Sequence, residues 1–404
     1  MWIRSWGRVL IAILCSAPLG LLAQDFKLFD RDFQVHGFAS QGFVYTNENN
    51  WLTMPTSVGS GSAQMTDFGA NVSVPVTDKF RAGAQIYDRN LGQLGKWHPS
   101  LDWAYASYKF KPWFAIRGGK VKTVLGLFND TQDLDFLHPF ALLPQSIYPT
   151  DMRDSTIAHT GGDVYGDIRL KNHLGTLSYT AYAGERKDSQ YGGYPYLLKT
   201  VPIAFTSYGG LQYGGDLRWA TPLKGLLIGA SRMDEDITGR GTTTLFGPAA
   251  PYEEHSNADW TNQFYGEYTV GKLQVDSEWR RYWRDQQIFN GLFRVQTDVR
   301  GVYVAGSYRF TKWFQIGSYY SRYSISLPVM TLPGVPGGQV GHIYDPAVTA
   351  RFDLNRYLNI KVEGHFMDGS GLPQMYPAGF YLADNPAGFK PNTNALVIKT
   401  GFNF

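Results

Sequence analysis

From residue 24 onward the sequence is written in a period of two, apolar and polar side chains alternating over runs of about ten positions with no long helical pattern between them. Successive side chains of an extended strand point to opposite faces, so each run has one apolar and one polar face. In the last strand Leu396, Ile398, Thr400, Phe402 and Phe404 share a face, and Ala395, Val397, Lys399, Gly401 and Asn403 the other. In the run before it, Leu358, Ile360, Val362, Gly364 and Phe366 stand opposite Asn359, Lys361, Glu363 and His365. Phe68, Ala70, Val72, Val74 and Val76 do the same against Asp67, Asn71 and Ser73, as do Leu211, Tyr213, Leu217 and Trp219 against Gln212, Asp216 and Arg218. Sixteen such runs are centred near residues 39, 70, 83, 105, 116, 166, 179, 213, 229, 265, 278, 303, 317, 349, 361 and 399.

The connections alternate in length. Short turns fall at Thr77-Asp78, Lys111-Pro112, Lys171-Asn172, Thr221 to Lys224, Gly271-Lys272, Thr311-Lys312 and Asn355-Arg356. Long loops fall near 46–62, 89–100, 120–160, 185–206, 235–257, 285–293, 324–343 and 368–393. Short turns on one side and long loops on the other, joining an even number of strands, predict an all-β, 16-stranded antiparallel transmembrane β-barrel. A turn also repeats: Tyr108-Lys109-Phe110-Lys111-Pro112-Trp113-Phe114 returns as Tyr308-Arg309-Phe310-Thr311-Lys312-Trp313-Phe314. Aromatic rings flanking a polar turn suit the headgroup depth of a bilayer. A soluble propeller would instead show a repeated four-stranded blade, and none is found.

At 15% aromatic residues and a formal charge of +3, the chain is neither disordered nor basic enough to hold a nucleic-acid backbone. Arg4 and Arg8 precede an apolar run, Val9 to Leu14, which resumes as Leu19 to Ala23 after Pro18. This pattern predicts a secretory signal peptide over 1–23, followed by a barrel over 24–404. The one cysteine, Cys15, lies in that leader, which rules out a disulfide framework or cysteine metal cluster after cleavage.

In a barrel the polar half of each strand lines the interior. Opposite charges stand two residues apart there at Asp167/Arg169, Asp216/Arg218, Glu278/Arg280, Arg351/Asp353 and Lys361/Glu363, with Arg81, Arg117, Glu267, Asp276 and Lys399 besides. A charge facing lipid at mid-membrane costs about 2–4 kcal/mol, so these are expected to face inward, in a wet pore or an ionic plug. Both signs occur, and neither an all-basic nor an all-acidic lining follows.

The 120–160 connection is the longest yet not composed like a disordered tail, since Val121, Leu125, Leu127, Phe128, Phe136, Phe140 and Leu142 give it apolar surface to bury. Its charges include Lys122, Asp130, Asp133, Asp135, Asp151, Arg153 and Asp154. Such a loop could pack its apolar side on the wall and show carboxylates to a channel. The leader, the sixteen strands, the terminal Phe404 and the long third external loop together resemble Gram-negative outer-membrane porins. The stretch Lys122 to Asp133 looks like a motif of loosely characterised porin-like barrels that run Lys-x-Pro-x-Gly-Leu-Tyr-Asn-x-Thr-Arg-Asp. Gly126, Leu127, Asn129, Thr131 and Asp133 match it; Gln132 stands where arginine is usual, and the Pro-Glu-Phe-Gly-Gly-Asp signature of general porins is absent. The resemblance implies an inward-folded third loop acting as constriction, a homotrimer, and a terminal Phe404 read by the barrel assembly machinery in the outer membrane.

The function expected is passive diffusion of small hydrophilic solutes or ions through a water-filled lumen. Pore-lining and constriction residues are expected to be Arg81, Arg117, Lys122, Asp130, Asp133, Asp135, Arg153, Lys361, Glu363 and Lys399. A transverse field would run between the loop carboxylates and the basic wall residues Arg81, Arg117 and Lys399. No phosphate-binding, nucleophile-elbow or zinc motif occurs, so neither catalysis nor a cofactor or metal is expected. The rival reading is a non-conducting outer-membrane barrel acting as adhesin or structural protein.

Overall fold

The computed structural model describes residues 24–28, 31–199, 201–335, 337–372 and 378–404; the expected leader, 1–23, lies outside them. The strands are β1 (Gln24–Leu28), β2 (Arg31–Thr46), β3 (Ser62–Pro75), β4 (Phe80–Leu91), β5 (Ser100–Lys111) and β6 (Phe114–Lys122). Next come β7 (Ala158–Arg169), β8 (Thr176–Lys187), β9 (Ile203–Ala220), β10 (Leu226–Thr243), β11 (Ala250–Val270) and β12 (Leu273–Ile288). The last are β13 (Phe293–Arg309), β14 (Phe314–Met330), β15 (Gly338–Asp353), β16 (Leu358–Asp368) and β17 (Asn392–Asn403). Each strand from β2 to β17 pairs antiparallel with its sequence neighbours, and β17 returns to β2, with Asn403 opposite Phe38 and Ala395 opposite Thr46. The ring of sixteen is therefore closed and has no free edge to aggregate. The seventeenth strand, β1, was not foreseen; it forms an added hairpin arm on β2, Gln24 opposite Val35.

All sixteen expected centres fall inside β2 to β17. The alternation is realised as burial: Leu396 and Ile398 are exposed on the outside while Val397 and Lys399 are buried, and β16 alternates likewise. The repeated turn builds the same aromatic arrangement twice, with Tyr108–Phe110 centroids at 4.7 Å and Tyr308–Phe310 at 4.8 Å, both edge-on.

Several expected loops are strand instead. β10 and β11 run to Thr243 and from Ala250, and β14 and β15 to Met330 and from Gly338, so most of 235–257 and 324–343 is hairpin. Beyond the apolar band both partners are polar, as in Arg240–Glu253 at 2.8 Å, so the ladder continues where the hydrophobic period stops. The 120–160 loop is likewise shorter, 123–157, which makes Lys120 and Lys122 strand residues, and within 185–206 lies the helix α1 (Gly193–Lys199).

At the loop end the connections pack together. Trp51, Leu52 and Met54 of the first loop, Leu94 of the second, Ala141 and Leu142 of the third and Ala378 and Phe380 of the last form one apolar cluster with Val44, Met65, Ile325, Ile343 and Val397 of the wall. A second cluster joins α1 (Leu197, Leu198) to Phe205, Tyr208, Ile237 and Tyr381.

Candidate functional site: the 123–157 segment and the charges that hold it

The segment is pinned first at its entrance. Gly126 has φ +70°, and a Cβ there would collide with the Gln263 amide and the Glu278 carboxylate, so the position requires glycine. Its N–H donates to Ser231 Oγ (2.9 Å), and its carbonyl accepts from Arg218 (2.8 Å). Leu127 N–H donates to Glu278 Oε2 (3.0 Å), and Glu278 also accepts from Gln263 (2.6 Å), Tyr148 (2.7 Å) and Tyr303 (2.8 Å). Asn129 Nδ2 closes the base of the loop by donating to the carbonyls of Thr123 and Thr156, both at 2.8 Å.

The middle of the segment is held by ion pairs. Asp133 lies 2.5 Å from Lys122 and 3.8 Å from Arg153, and accepts from Gln85 (2.7 Å). Burial pushes its carboxyl up, but the two cations outweigh burial and keep it below the usual range. Arg153 also pairs with Asp102 (2.8 Å) and lies over the Tyr87 ring. Asp135 sits between Lys361 (3.1 Å) and Lys399 (3.0 Å), which hold it well below the ordinary carboxylate range despite burial. Lys361 Nζ donates further to the carbonyls of Asp135 (2.6 Å) and Phe140 (3.0 Å). Glu363 accepts from the N–H groups of Ala141 (2.9 Å) and Leu142 (3.1 Å), and Arg351 donates to the His138 carbonyl (2.8 Å). Beyond, Arg280 donates to the Ile147 carbonyl (2.8 Å) and Arg89 to that of Thr150 (2.7 Å).

Of the residues expected from the sequence, Lys122, Asp133, Asp135, Arg153, Lys361, Glu363 and Lys399 come together around this segment. Asp130 stands apart, 4.0 Å from Arg218. Arg81 is exposed near the turn end of β4, away from the segment, and Arg117 is engaged with Asp163 (2.5 Å) between the rings of Tyr105 and Tyr165. Of the five sequence-adjacent charge pairs, Asp216/Arg218 (2.8 Å) and Arg351/Asp353 (2.8 Å) are ion pairs; Glu278 and Lys361 bind the segment instead. Gln85 and Asp102 were missed because nothing in a single strand's alternation says which polar residue meets a distant loop, and Tyr148 and His138 because their partners are set by how the segment itself packs. Phe404 lies at the seam: its N–H donates to the Gly37 carbonyl (2.9 Å) and its carbonyl accepts from Gly37 N–H (3.1 Å).

Small cavities lie beside the segment among the described residues. One of about 60 Å³ is lined by Asp67, Arg89, Asp133, Asp135, Arg153 and Lys399; another of about 100 Å³ by Arg186, Arg280, Arg284, Glu235, Tyr208 and Tyr282.

No protein-family model matches the chain, and no curated protein matches it either. Solved structures do. OmpT of Vibrio cholerae aligns with a TM-score of 0.58 at 11% identity, covering 94% of this chain and 100% of that one. The outer membrane channel DcaP of Acinetobacter baumannii aligns at 0.57 and 11%, covering 95% and 100%. An anion-selective porin from Comamonas acidovorans aligns at 0.53 and 10%, covering 93% and 100%. At such identities the likeness is one of fold, and the fold is that of the outer-membrane porins: a closed, sixteen-stranded antiparallel barrel.

Proposed function

We propose that this barrel is an outer-membrane porin through which small hydrophilic solutes or ions diffuse passively, with segment 123–157 folded inside as the constriction. The observation that carries the proposal is the pair of walls the segment reaches. It is bonded by Gln85 and Arg89 of β4 and by Glu278 and Arg280 of β12, strands eight steps apart in a ring of sixteen. Ties to opposite walls support a path for the segment across the space between them. The ionised side chains on the same inner face supply a wettable lining. On this reading residues 1–23 are cleaved on export, Phe404 is read by the barrel assembly machinery, the outer face meets outer-membrane lipids and the barrel assembles as a homotrimer. The protein carries out no catalysis.

Selectivity on this reading comes from pairs. Asp133 and Asp135 each lie within 4 Å of two cations, so the field between loop and wall is local and short-ranged. Removing one carboxylate uncovers positive charge. Conductance and reversal potential of the refolded protein in a planar bilayer under a salt gradient test the proposal. Regular open steps are expected, and D130N and D133N shift the reversal potential toward anions, D133N further. Unchanged reversal potentials in both variants would sink the selectivity mechanism.

Two observations favour the rival, a non-conducting barrel acting as adhesin or structural protein. The apolar cluster built on Trp51, Leu142 and Phe380 ties the first, third and last loops together at the loop end, and the cavities beside the segment are small. A folded barrel that stays silent at every voltage would favour a plugged lumen and turn the question to that reading.

A further inference from the structure

We infer that the outer face of β10 to β14 is a binding site for the phosphorylated headgroup of an acylated outer-leaflet lipid. The inference rests on the outer-membrane reading of the barrel, though not on conduction. Side chains that share the outward face with Ile228, Trp279, Val304 and Tyr320 include Arg232, Arg281, Arg300 and Arg322. Strand register brings them into one row. Arg232 is opposite Asn262, Asn262 opposite Arg281, and Arg281 opposite Arg300. Arg322, opposite Val302, lies diagonal to Arg300, with Tyr344 next across the ladder.

The row is undercompensated. Asp234 pairs with Arg232 (2.6 Å), and Asp298 is shared by Arg281 (2.9 Å) and Arg300 (2.7 Å). Arg322 is in no ion pair among the described residues; it leans on the Tyr344 ring, 4.8 Å from its centroid. Two carboxylates thus serve four guanidiniums. Like charges directly opposite each other destabilise a ladder, and Arg281 faces Arg300. The arrangement is one that an external anion would relieve.

Its height and confinement point to the same ligand. Phe366 lies eight residues from the start of β16, as Arg281 does from that of β12 and Arg322 from that of β14, yet Phe366 is an exposed apolar side chain and so is Leu396 at a similar height on β17. The arginines therefore form a patch, not a belt, at the level where the apolar band gives way. Trp260 and Trp283 stand one outward position above the row, on its loop side, with Arg281 5.4 Å from the Trp260 ring and 5.9 Å from that of Trp283. Planar guanidiniums recognise phosphate through paired donors, and aromatic rings suit the headgroup level. Below the row, Phe264, Trp279, Val302 and Tyr320 offer an apolar wall on which acyl chains can lie.

Native mass spectrometry of the full chain in detergent, with bisphosphorylated hexa-acyl lipid A, its dephosphorylated form and inorganic phosphate as probes, tests the assignment. The bisphosphorylated lipid should be retained, the dephosphorylated one should not, and inorganic phosphate should fail to displace it. Retention should fall about fivefold in R322Q and about thirtyfold in R300Q/R322Q, and recover only in part in R300K/R322K, which restores charge without the paired donors. R322Q is the safer variant, because it leaves no carboxylate unpaired. Equal retention by wild type and R322Q, or of both lipids, would overturn the site. Displacement by inorganic phosphate would make it a plain anion site and overturn the lipid assignment. Loss of oligomeric mass in R300Q/R322Q with lipid retention intact would assign the row to a subunit interface instead. Bilayer conductance of R322Q should match wild type, so a silent barrel would count against the pore alone.

Discussion

Glu278 presents a buried carboxylate to four donors, Leu127 N–H, Gln263, Tyr148 and Tyr303, with no cation in an ion pair with it among the described residues. Asp133 and Asp135 are held instead by lysines and an arginine. The difference sets what pH can do. Burial, the largest influence, lowers the His138 imidazole to about 4, with Lys361 and Lys399 adding to the effect and the Thr131 carbonyl and Asp135 opposing it. An opened segment would take up a proton near 6.5 that the packed one refuses until about 4, so acidification across that window works against packing. The difference corresponds to on the order of 3 kcal/mol once pH is below 4. Asp135 stays ionised throughout the window, while Asp384 runs the other way: burial lifts it to about 6, so its contribution is present in acid and lost as pH rises through 6. Hydrogen exchange of 123–157, corrected for intrinsic rates, should therefore quicken on acidification from 6.5 toward 4, and H138N should remove most of the change. An unaltered profile in H138N would assign the effect elsewhere. Sequence placed Asp133 and Asp135 in this region by composition and motif, but His138 looked like any scattered histidine because its burial is a property of the packed loop.

At the level of elements, the period of two identified every strand of the ring, since lipid outside and charge inside impose it on each. It failed where that contrast ends: the upper hairpins of β10 to β15 are polar on the outside, and α1 is a single short helix without a repeat. Contacts between loops were invisible for a further reason, that each is made by groups distant in sequence. The tie between the third and last loops is the clearest. Asp151 is fully buried, and its Oδ2 accepts from Gly379 N–H (2.8 Å) and Tyr381 OH (2.9 Å). Truncating it leaves two buried donors without an acceptor, each costing about 1–3 kcal/mol. D151A should therefore release the 378–391 segment from the Trp51 cluster, with larger single-channel conductance and earlier proteolytic cleavage within that segment. D151N keeps an acceptor oxygen and should stay near wild type, and Y381F should fall between. Identical conductance and cleavage in D151A and wild type would show that the last loop is held by its apolar contacts alone.

For the whole molecule the decisive event is closure, because every ladder from β2 to β17 leaves an open edge until the last strand meets the first. The number of strands was legible because fifteen alternating connections require sixteen of them; how the ring is sealed was not. At the seam the Phe404 ring lies where a side chain on Gly37 would be, and the two backbones exchange both hydrogen bonds there. Valine is a better strand former than glycine, so local propensity alone would make G37V neutral or stabilising. The seam predicts the opposite: G37V collides with Phe404 and lowers the fraction that closes on refolding into lipid vesicles, read as the heat-modifiable band on a gel. Cutting the ring away in G37V/F404A should restore closure, a coupling that appears only if the two positions meet. Refolding in vesicles involves no assembly machinery, so rescue there, with F404A poorly assembled in cells, would separate two roles of one residue: a packing partner at the seam and a signal read during insertion. If G37V closes as well as wild type, the seam tolerates the side chain, and the proposed assembly signal is the only role left to test for Phe404.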